Sequence, residues 1–211
     1  MRSRSKRLKK QQETYLTKRF WIGFFFFLFI NLTLAFPFFF SISPFGKYYG
    51  IEEDFLAPDL LVMNGRGERI SLSSLNADFY FFYFGYLDCE TLCPLHMGQL
   101  YQISGKIPKG EGAFVYVSLA PRRDSEDKVL KYVSGLGKDF FAIREDLEKT
   151  REISRKFKVF NEDESLDQFD HTDSIFLADK DLRVRLRYLT AHSKTEKIIE
   201  DLENLRKTYR N

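Results

Sequence analysis

The sequence predicts an α/β domain with a mixed sheet flanked by helices, preceded by one N-terminal transmembrane helix. Three observations lead to this fold class. An uncharged run fills residues 20–42, a continuous apolar and aromatic segment fills residues 79–84, and strand and helix patterns alternate from there to the C-terminus. A continuous apolar run is typical of a strand that is covered on both faces. Alternating strands and helices favour an α/β domain.

The N-terminal run has the length and flanks of a membrane anchor. As a helix, residues 20–42 would extend roughly 34 Å, enough for a hydrocarbon core of about 30 Å. Residues 1–19 carry eight Lys or Arg and one acid, Glu13, which predicts a cytoplasmic N-terminus. We therefore divide the chain into a basic cytoplasmic tail (1–19), a transmembrane anchor (20–42), a tether (43–54) and a folded domain (55–211). A cleaved signal peptide is the alternative, but its apolar region typically spans about 7–15 residues.

The first half of the domain opens with a hairpin and leads to the central strand. Residues 60–63 and 68–72 flank Asn64-Gly65-Arg66-Gly67, whose glycines predict a tight turn. Residues 79–84 follow as the central strand, 92–105 as a helix and 113–119 as a second central strand. Asp124 or Ser125 is expected to cap the next helix, which would end near residue 136.

The second half repeats the alternation and closes with a helix. We expect a strand at 140–143 and a helix at 146–157, followed by strands at 174–178 and 184–189 around the turn 179–181. Residues 194–209 have the apolar spacing of an amphipathic helix. A strand that feeds a cysteine-bearing loop and then a helix, within a mixed sheet, fits a thioredoxin-like arrangement.

The chain has two cysteines, Cys89 and Cys93, and both lie between the central strand and the next helix. Residues four apart share one face of a helix, so the two sulfurs can converge on one atom or on each other. A helix N-terminus favours thiolate over thiol. Thiolates suit Cu(I) and zinc, but a structural zinc site needs four ligands. A structural disulfide remains the alternative, although closing so short a loop constrains the unfolded chain little.

His171, which precedes the strand at 174–178, is the candidate third ligand. Two thiolates and an imidazole together suit copper. The other histidines are weaker candidates: we expect His96 to face solvent or to pack, and His192 to lie on the surface. Met63 and Met97 are expected in the core or at its rim rather than as thioether ligands.

Three motifs resemble those of the Sco/SenC family of membrane-anchored, thioredoxin-fold copper proteins, over roughly residues 55–208. The first is Gly85-Tyr86 followed by Cys89-x-x-x-Cys93-Pro94. The second is Ser118-Leu119-Ala120-Pro121-Arg122-Arg123-Asp124. The third is Asp170-His171-Thr172-Asp173-Ser174, followed by an apolar strand and Asp179-Lys180-Asp181. Two positions depart from the family pattern: Glu90 stands where the family usually has Pro, and Ala120 where it usually has Asp. Glu90 adds a negative charge near the sulfurs, which favours a cation there.

The resemblance implies that Cys89, Cys93 and His171 bind a copper ion and that the cysteines form a redox-active pair. It implies a metallochaperone that delivers copper to, or reduces the cysteines of, the copper site of cytochrome c oxidase during assembly. The expected partners are the membrane, the copper-receiving oxidase subunit, and other copper or thiol-redox proteins. The expected location is the cytoplasmic membrane with the domain in the periplasm or extracytoplasmic space, or the mitochondrial inner membrane facing the intermembrane space.

Other functions fit the sequence less well. A thiol–disulfide oxidoreductase acting on extracytoplasmic cysteines usually has two residues between its cysteines rather than three. A copper or redox sensor is a further alternative, but the short cytoplasmic segment suggests no signalling domain. Nucleic-acid binding is not expected, because the chain after residue 19 is slightly acidic and has no basic stripe.

Overall fold

A computed structural model describes residues 18–33, 47–88, 92–159, 174–189 and 193–209 of the 211-residue chain. The chain divides into two compact units, Met1–Lys47 and Tyr48–Asn211. Parts of the predicted tail, anchor and tether lie outside the described residues, as do Cys89, His171 and His192.

The first unit contributes helix α1, residues 18–33, whose side chains are exposed throughout. Its two uncharged polar side chains in the last turns bond back to the helix: the Asn31 amide donates to the Phe27 carbonyl at 2.8 Å, and the Thr33 hydroxyl donates to the Phe29 carbonyl at 2.9 Å. Such bonds satisfy polar side chains without an outside partner. Among the residues that the structure describes, no helix combines the length and apolar character needed to cross a membrane.

The second unit is built on one mixed sheet, which contains eight strands in the described part of the chain. Its order is β1-β8-β7-β4-β5-β6-β2-β3. The strands are β1 (Ile51–Leu56), β2 (Leu61–Met63), β3 (Arg69–Ser71), β4 (Phe79–Gly85), β5 (Gly112–Ser118), β6 (Phe140–Ile143), β7 (Ser174–Asp179) and β8 (Arg183–Leu189). Strand β4 lies in the middle, parallel to β5 and antiparallel to β7.

Helices cover both faces of the sheet, which explains why β4, β5, β6 and β7 are buried at every position. The helices are α2 (Leu92–Lys106), α3 (Glu126–Ser134), α4 (Leu147–Lys156) and α5 (Thr195–Tyr209), with a short 3-10 helix at Leu72–Leu75. Helices α2, α3 and α5 pack on one face around Phe81 and Tyr83. Helix α4 and the following Phe157 cover the other face around Phe82 and Phe84.

The structure confirms the predicted mixed α/β sheet with flanking helices and most of its elements. The hairpin forms at β2 and β3, and Gly67 in its turn has a φ of 80°, a conformation that glycine adopts without strain. Ser125 is the N-cap of α3 and accepts a hydrogen bond from the Lys128 amide. Of the two candidates for that cap, Ser125 therefore fills the role.

Strand β1 was not predicted, because four of its six residues, 51–54, were assigned to the tether. Its charges are matched by β8, with which it pairs antiparallel. Glu53 lies 3.1 Å from Nε of Arg187, and Asp54 lies 2.7 Å from Nη1 of Arg183. Three consecutive acids are typical of a solvated linker, but arginines on the neighbouring strand allow them to form an edge strand. The ordered domain therefore extends to Tyr48 at least, where the second unit begins.

Candidate metal centre at the carboxyl edge of the sheet

The predicted metal ligands all lie on segments that meet one edge of the sheet. We call it the carboxyl edge and define it by the last residues of β4 and β5, Gly85 and Ser118, and by the first residue of β7, Ser174. Gly85 pairs with Ser118, and Tyr83 of β4 pairs with Ile175 of β7. Because β7 runs antiparallel to β4, its first residue lies where β4 ends.

This topology brings the cysteine segment and the histidine segment to adjacent strand ends. The chain that carries Cys89 leaves β4 after Gly85, and the chain that carries His171 enters β7 at Ser174. Cys93 is the second residue of α2, so its backbone belongs to the first helical turn. Its side chain, Cys89 and His171 lie outside what the structure describes, and their convergence on one ion stays a prediction. Among the described residues, no group of three His, Cys, Asp or Glu side chains could hold a metal ion.

His96 has a packing role, one of the two roles expected for it. Its side chain is 1% exposed, so the alternative, a solvent-facing residue, is wrong. Its Nδ1 lies 3.2 Å from the hydroxyl of Tyr83, and the two rings lie 5.4 Å apart. Both Met97 and Met63 are buried in the core, as predicted. The imidazole on α2 thus packs against the central strand directly below the carboxyl edge.

A second loop, residues 119–125 between β5 and α3, supports the loop that leaves β4. The Leu119 amide donates to the Gly85 carbonyl at 2.8 Å. The carboxylate of Asp124 accepts from the Leu87 amide at 3.2 Å and from the Ser118 hydroxyl at 2.6 Å. These bonds join the segment before Cys89 to the end of β5.

Two arginines consolidate the same pair of loops. Arg144, directly after β6, donates from Nη2 to the Pro121 carbonyl at 2.6 Å and from Nε to the Asp124 carbonyl at 3.1 Å. The Arg123 guanidinium lies 5.1 Å from the ring centroid of Tyr86, within the range of a cation–π contact. Arg122 and Arg123 are both exposed on this loop.

The sequence suggested no role for Asp124 beyond a helix cap and gave no indication of a role for Arg144. The position of Asp124 within the second motif was a usable signal, because a motif residue that is not a cap needs another role. Arg144 offered no such signal. It reaches this loop because β6 lies next to β5 in the sheet, and its partners are backbone carbonyls, which leave no trace in the sequence.

Comparison with known proteins supports this description at the level of family and fold. The SCO1/SenC family model matches residues 51–207. A SCO2-like protein of Rickettsia prowazekii is 22% identical over 167 residues, covering 74% of this chain and 79% of that protein. The mitochondrial SCO1 homolog 1 of Arabidopsis thaliana is 24% identical over 151 residues, and the match covers 67% of this chain and 45% of that longer protein.

Solved structures of Sco proteins share the fold. Arabidopsis thaliana ScoI with copper bound superposes with a TM-score of 0.62 at 20% identity, covering 74% of this chain and all of that one. BsSco, a member of the Sco family of cytochrome c oxidase assembly proteins in which a disulfide switch was identified, gives a TM-score of 0.60 at 21% identity, with 74% and 95% covered. The sheet and helices of residues 48–209 therefore form the thioredoxin-like fold of Sco proteins, and the chain belongs to the SCO1/SenC family.

Proposed function

We propose that this protein binds copper as cargo at the carboxyl edge of its sheet and serves in the assembly of cytochrome c oxidase. The observation that carries the proposal is the placement of β4 and β7 as antiparallel neighbours. Because of this pairing, the cysteine segment leaves β4 at the same edge of the sheet at which the His171 segment enters β7. Arabidopsis ScoI has been solved with copper bound, and BsSco belongs to a family of oxidase assembly proteins. Both share the fold of this chain.

The donor set fits copper. Cys89 and Cys93 would supply thiolates and His171 an imidazole, and copper accepts soft sulfur together with imidazole nitrogen. Cys93 lies in the first turn of α2, where the helix dipole favours the thiolate. The two cysteines also form a redox pair in the proposal, so the same edge would either deliver copper to the oxidase or reduce the cysteines of its copper site.

The proposed location places this edge outside the cytoplasm. Residues 20–42 would anchor the chain in the inner membrane after a basic cytoplasmic tail, 1–19, with a tether and the domain on the far side. Protease treatment of intact cells or spheroplasts, followed by detection of the domain, tests this orientation. Loss of the domain only after the inner membrane is breached would contradict this orientation. A mature N-terminus near residue 44 would identify a cleaved leader instead.

A copper titration tests the proposed ligand set. Reduced protein is titrated anaerobically with Cu(I), and separately with Cu(II), against a chromogenic competitor. We expect one copper per chain for the wild type, and affinity lowered at least roughly tenfold in His171→Ala because an imidazole ligand is lost. His192→Ala is the matched control, since the same side chain is removed from a position expected on the surface. Wild-type protein that retains no stoichiometric copper, or equal affinities in the two variants, contradicts the proposal.

A thiol–disulfide reductase is the second candidate, favoured by the thioredoxin-like fold and by the disulfide switch identified in BsSco. In a simple reductase, two thiols carry the electrons and no imidazole ligand is needed. His171→Ala is then expected to reduce a disulfide-bonded target peptide at the wild-type rate while Cys89→Ser does not. A reductase activity that depends on His171 and on bound copper would instead favour the copper carrier.

A further inference from the structure

The carboxylate of Asp124 is buried in a place where helix capping does not explain it. The side chain is 1% exposed, although it sits two residues before α3 in a loop. The cap of α3 is its neighbour Ser125, which accepts from the Lys128 amide. The Asp124 carboxylate instead contacts Ser118 at the end of β5 and Leu87 in the loop that follows β4.

Among the described residues, the donors to this carboxylate are neutral. They are the Ser118 hydroxyl at 2.6 Å and the Leu87 amide, which lies 3.2 Å from one oxygen and 3.4 Å from the other. No Lys or Arg of the described chain forms an ion pair with it. Burying a carboxylate without a cation is costly unless its hydrogen bonds compensate. The bonds from Ser118 and Leu87 must therefore offset the desolvation of this carboxylate.

Hydrogen bonds hold the backbone of Asp124 and of the loop before it. Its backbone carbonyl and that of Pro121 are both held by the guanidinium of Arg144, and its amide donates to the Ala120 carbonyl at 2.8 Å. Ser118, the other partner of the carboxylate, ends a strand that is buried at every position. The carboxylate is therefore fixed to β5 and β6, and Leu87 is the one member of this set that belongs to the cysteine loop.

Leu87 lies two residues before Cys89. The loop before that cysteine is held at two backbone points, the Gly85 carbonyl by Leu119 and the Leu87 amide by Asp124. Only the second bond uses a side chain. A substitution at Asp124 can therefore release the loop while the strand pairing that ends at Gly85 persists.

We propose that Asp124 is a positioning residue for the cysteine loop, acting through the Leu87 amide to fix the backbone that leads to Cys89. The expected effect on copper affinity rests on the function proposed above. The expected effect on the loop and its thiols does not depend on that function. Outer residues that orient metal ligands typically change metal affinity by roughly 10–100-fold when they are removed. Asp124 would act one step further out, through the backbone that carries the ligand.

Three measurements on the full-length protein in detergent micelles test the proposal. The first is hydrogen exchange at the Leu87 amide, followed on peptides that cover it. The second is the alkylation rate of Cys89 by iodoacetamide in reduced protein, read by mass spectrometry with Cys93 as an internal reference. The third is Cu(I) affinity, measured by competition. We expect Asp124→Ala to lose protection at Leu87, to change the Cys89 rate at least about threefold relative to Cys93, and to weaken Cu(I) binding roughly tenfold.

Asp124→Asn is the conservative variant. Its amide oxygen still accepts from Leu87 and its NH2 group can donate to the Ser118 oxygen, so we expect protection at Leu87 and copper affinity within about threefold of wild type. A general loss of stability would change the alkylation rates of Cys89 and Cys93 together, so the ratio of the two rates is the readout that reports positioning. If Asp124→Ala does not fold, Ser118→Ala tests the proposal in its place, because it removes the shorter of the two bonds to the carboxylate. Leu87 exchange and the Cys89 rate in Ser118→Ala should then shift in the directions expected for Asp124→Ala.

The outcomes separate the two proposals. Wild-type protein that binds no Cu(I), combined with altered Leu87 exchange and Cys89 reactivity in Asp124→Ala, overturns the copper function and supports the positioning role. Wild-type exchange and wild-type Cys89 reactivity in a folded Asp124→Ala protein overturn the positioning role, whatever happens to copper. The same holds for unchanged values in Ser118→Ala when the alanine variant at 124 does not fold.

Discussion

Two buried aspartates, Asp124 and Asp201, use the same chemistry in different parts of the domain. Asp201 on α5 is 2% exposed. Its carboxylate accepts from the amides of Tyr49 and Gly50 at 2.9 and 2.8 Å and from the hydroxyl of Tyr188 at 3.2 Å. Like Asp124, it therefore holds a distant backbone segment together with a hydroxyl group.

The difference lies in the segment that each carboxylate holds. Asp124 holds a loop that runs to Cys89, whereas Asp201 holds the chain that runs into β1, the edge strand. Asp201 fixes the segment that precedes β1, and none of its described partners belongs to a segment that carries a predicted ligand. Each buried carboxylate therefore marks a backbone segment that is held in place. The role of the carboxylate depends on what that segment carries.

The largest effect is expected for Asp201→Ala, which should lower the stability of the domain without changing the reactivity of the cysteine loop. Asp201→Ala leaves buried amides and a hydroxyl without their acceptor, which should lower the free energy of unfolding by roughly 3–5 kcal/mol. Urea unfolding followed by circular dichroism measures this loss. Cys89 alkylation under native conditions should stay at the wild-type rate. A thiol rate that changes as much as in Asp124→Ala would break the distinction between the two aspartates.

A smaller effect is expected from crowding the Asp201 site. A Cβ added at Gly50 would lie 2.6 Å from Cε1 of Tyr188, so Gly50→Ala must displace the segment or the ring, at a cost of about 1–3 kcal/mol. Gly98→Ala is the matched control: no atom lies within 4 Å of its added Cβ, and alanine should stabilise the middle of α2 by about 0.5–1 kcal/mol. Urea midpoints that shift in opposite directions confirm this prediction, and equal shifts contradict it.

The smallest expected effect is a pH dependence that only the Asp201 site should have. Burial, and then the nearby charge of Asp201, raise the pKa of Tyr188 well above its usual value of 10.0. The folded state therefore keeps a proton that the unfolded chain loses above about pH 10, so stability is intact below that pH. Above it, stability falls by about 1.4 kcal/mol per pH unit until the folded pKa is reached.

Tyr188→Phe removes that contribution, so the difference in unfolding free energy between wild type and variant should shrink as pH rises above 10. Ser118→Ala at the Asp124 site is the control, since a serine hydroxyl does not titrate in this range and its difference from wild type should stay constant. Parallel pH profiles for wild type and Tyr188→Phe would show that Tyr188 does not titrate with a raised pKa.

The regular elements could be predicted because their signals are local. The continuous apolar run at 79–84 indicated a strand buried on both faces, and β4 has that environment. The glycines after Asn64 indicated the hairpin turn. Ser125 and Asp146 are helix N-caps whose side chains accept backbone hydrogen bonds, at positions where the sequence predicted helices to begin. Each signal depends on residues within a few positions of the feature.

The features that could not be predicted depend on contacts between residues that are distant in sequence. Strand β1 was missed because the arginines that neutralise its acids lie more than 120 residues away on β8. His96 was allowed two environments, and only the packing of α2 against Tyr83 decided between them. Asp124 was considered as a cap, and the strand neighbours of β5 decided that it holds the cysteine loop instead.

The fold class, the order of most elements and the three residues suited to copper could be read from the sequence alone, since hydrophobic periodicity, caps and soft donor atoms all lie along the chain. The identity of neighbouring strands became known only from the tertiary structure. Because β4 and β7 are neighbours, the cysteine segment leaves the sheet at the same edge at which the His171 segment enters it. The tertiary structure likewise brings Asp124 to Leu87. Strand order follows from the packing of two apolar faces over the whole domain, and no short stretch of sequence contains that information.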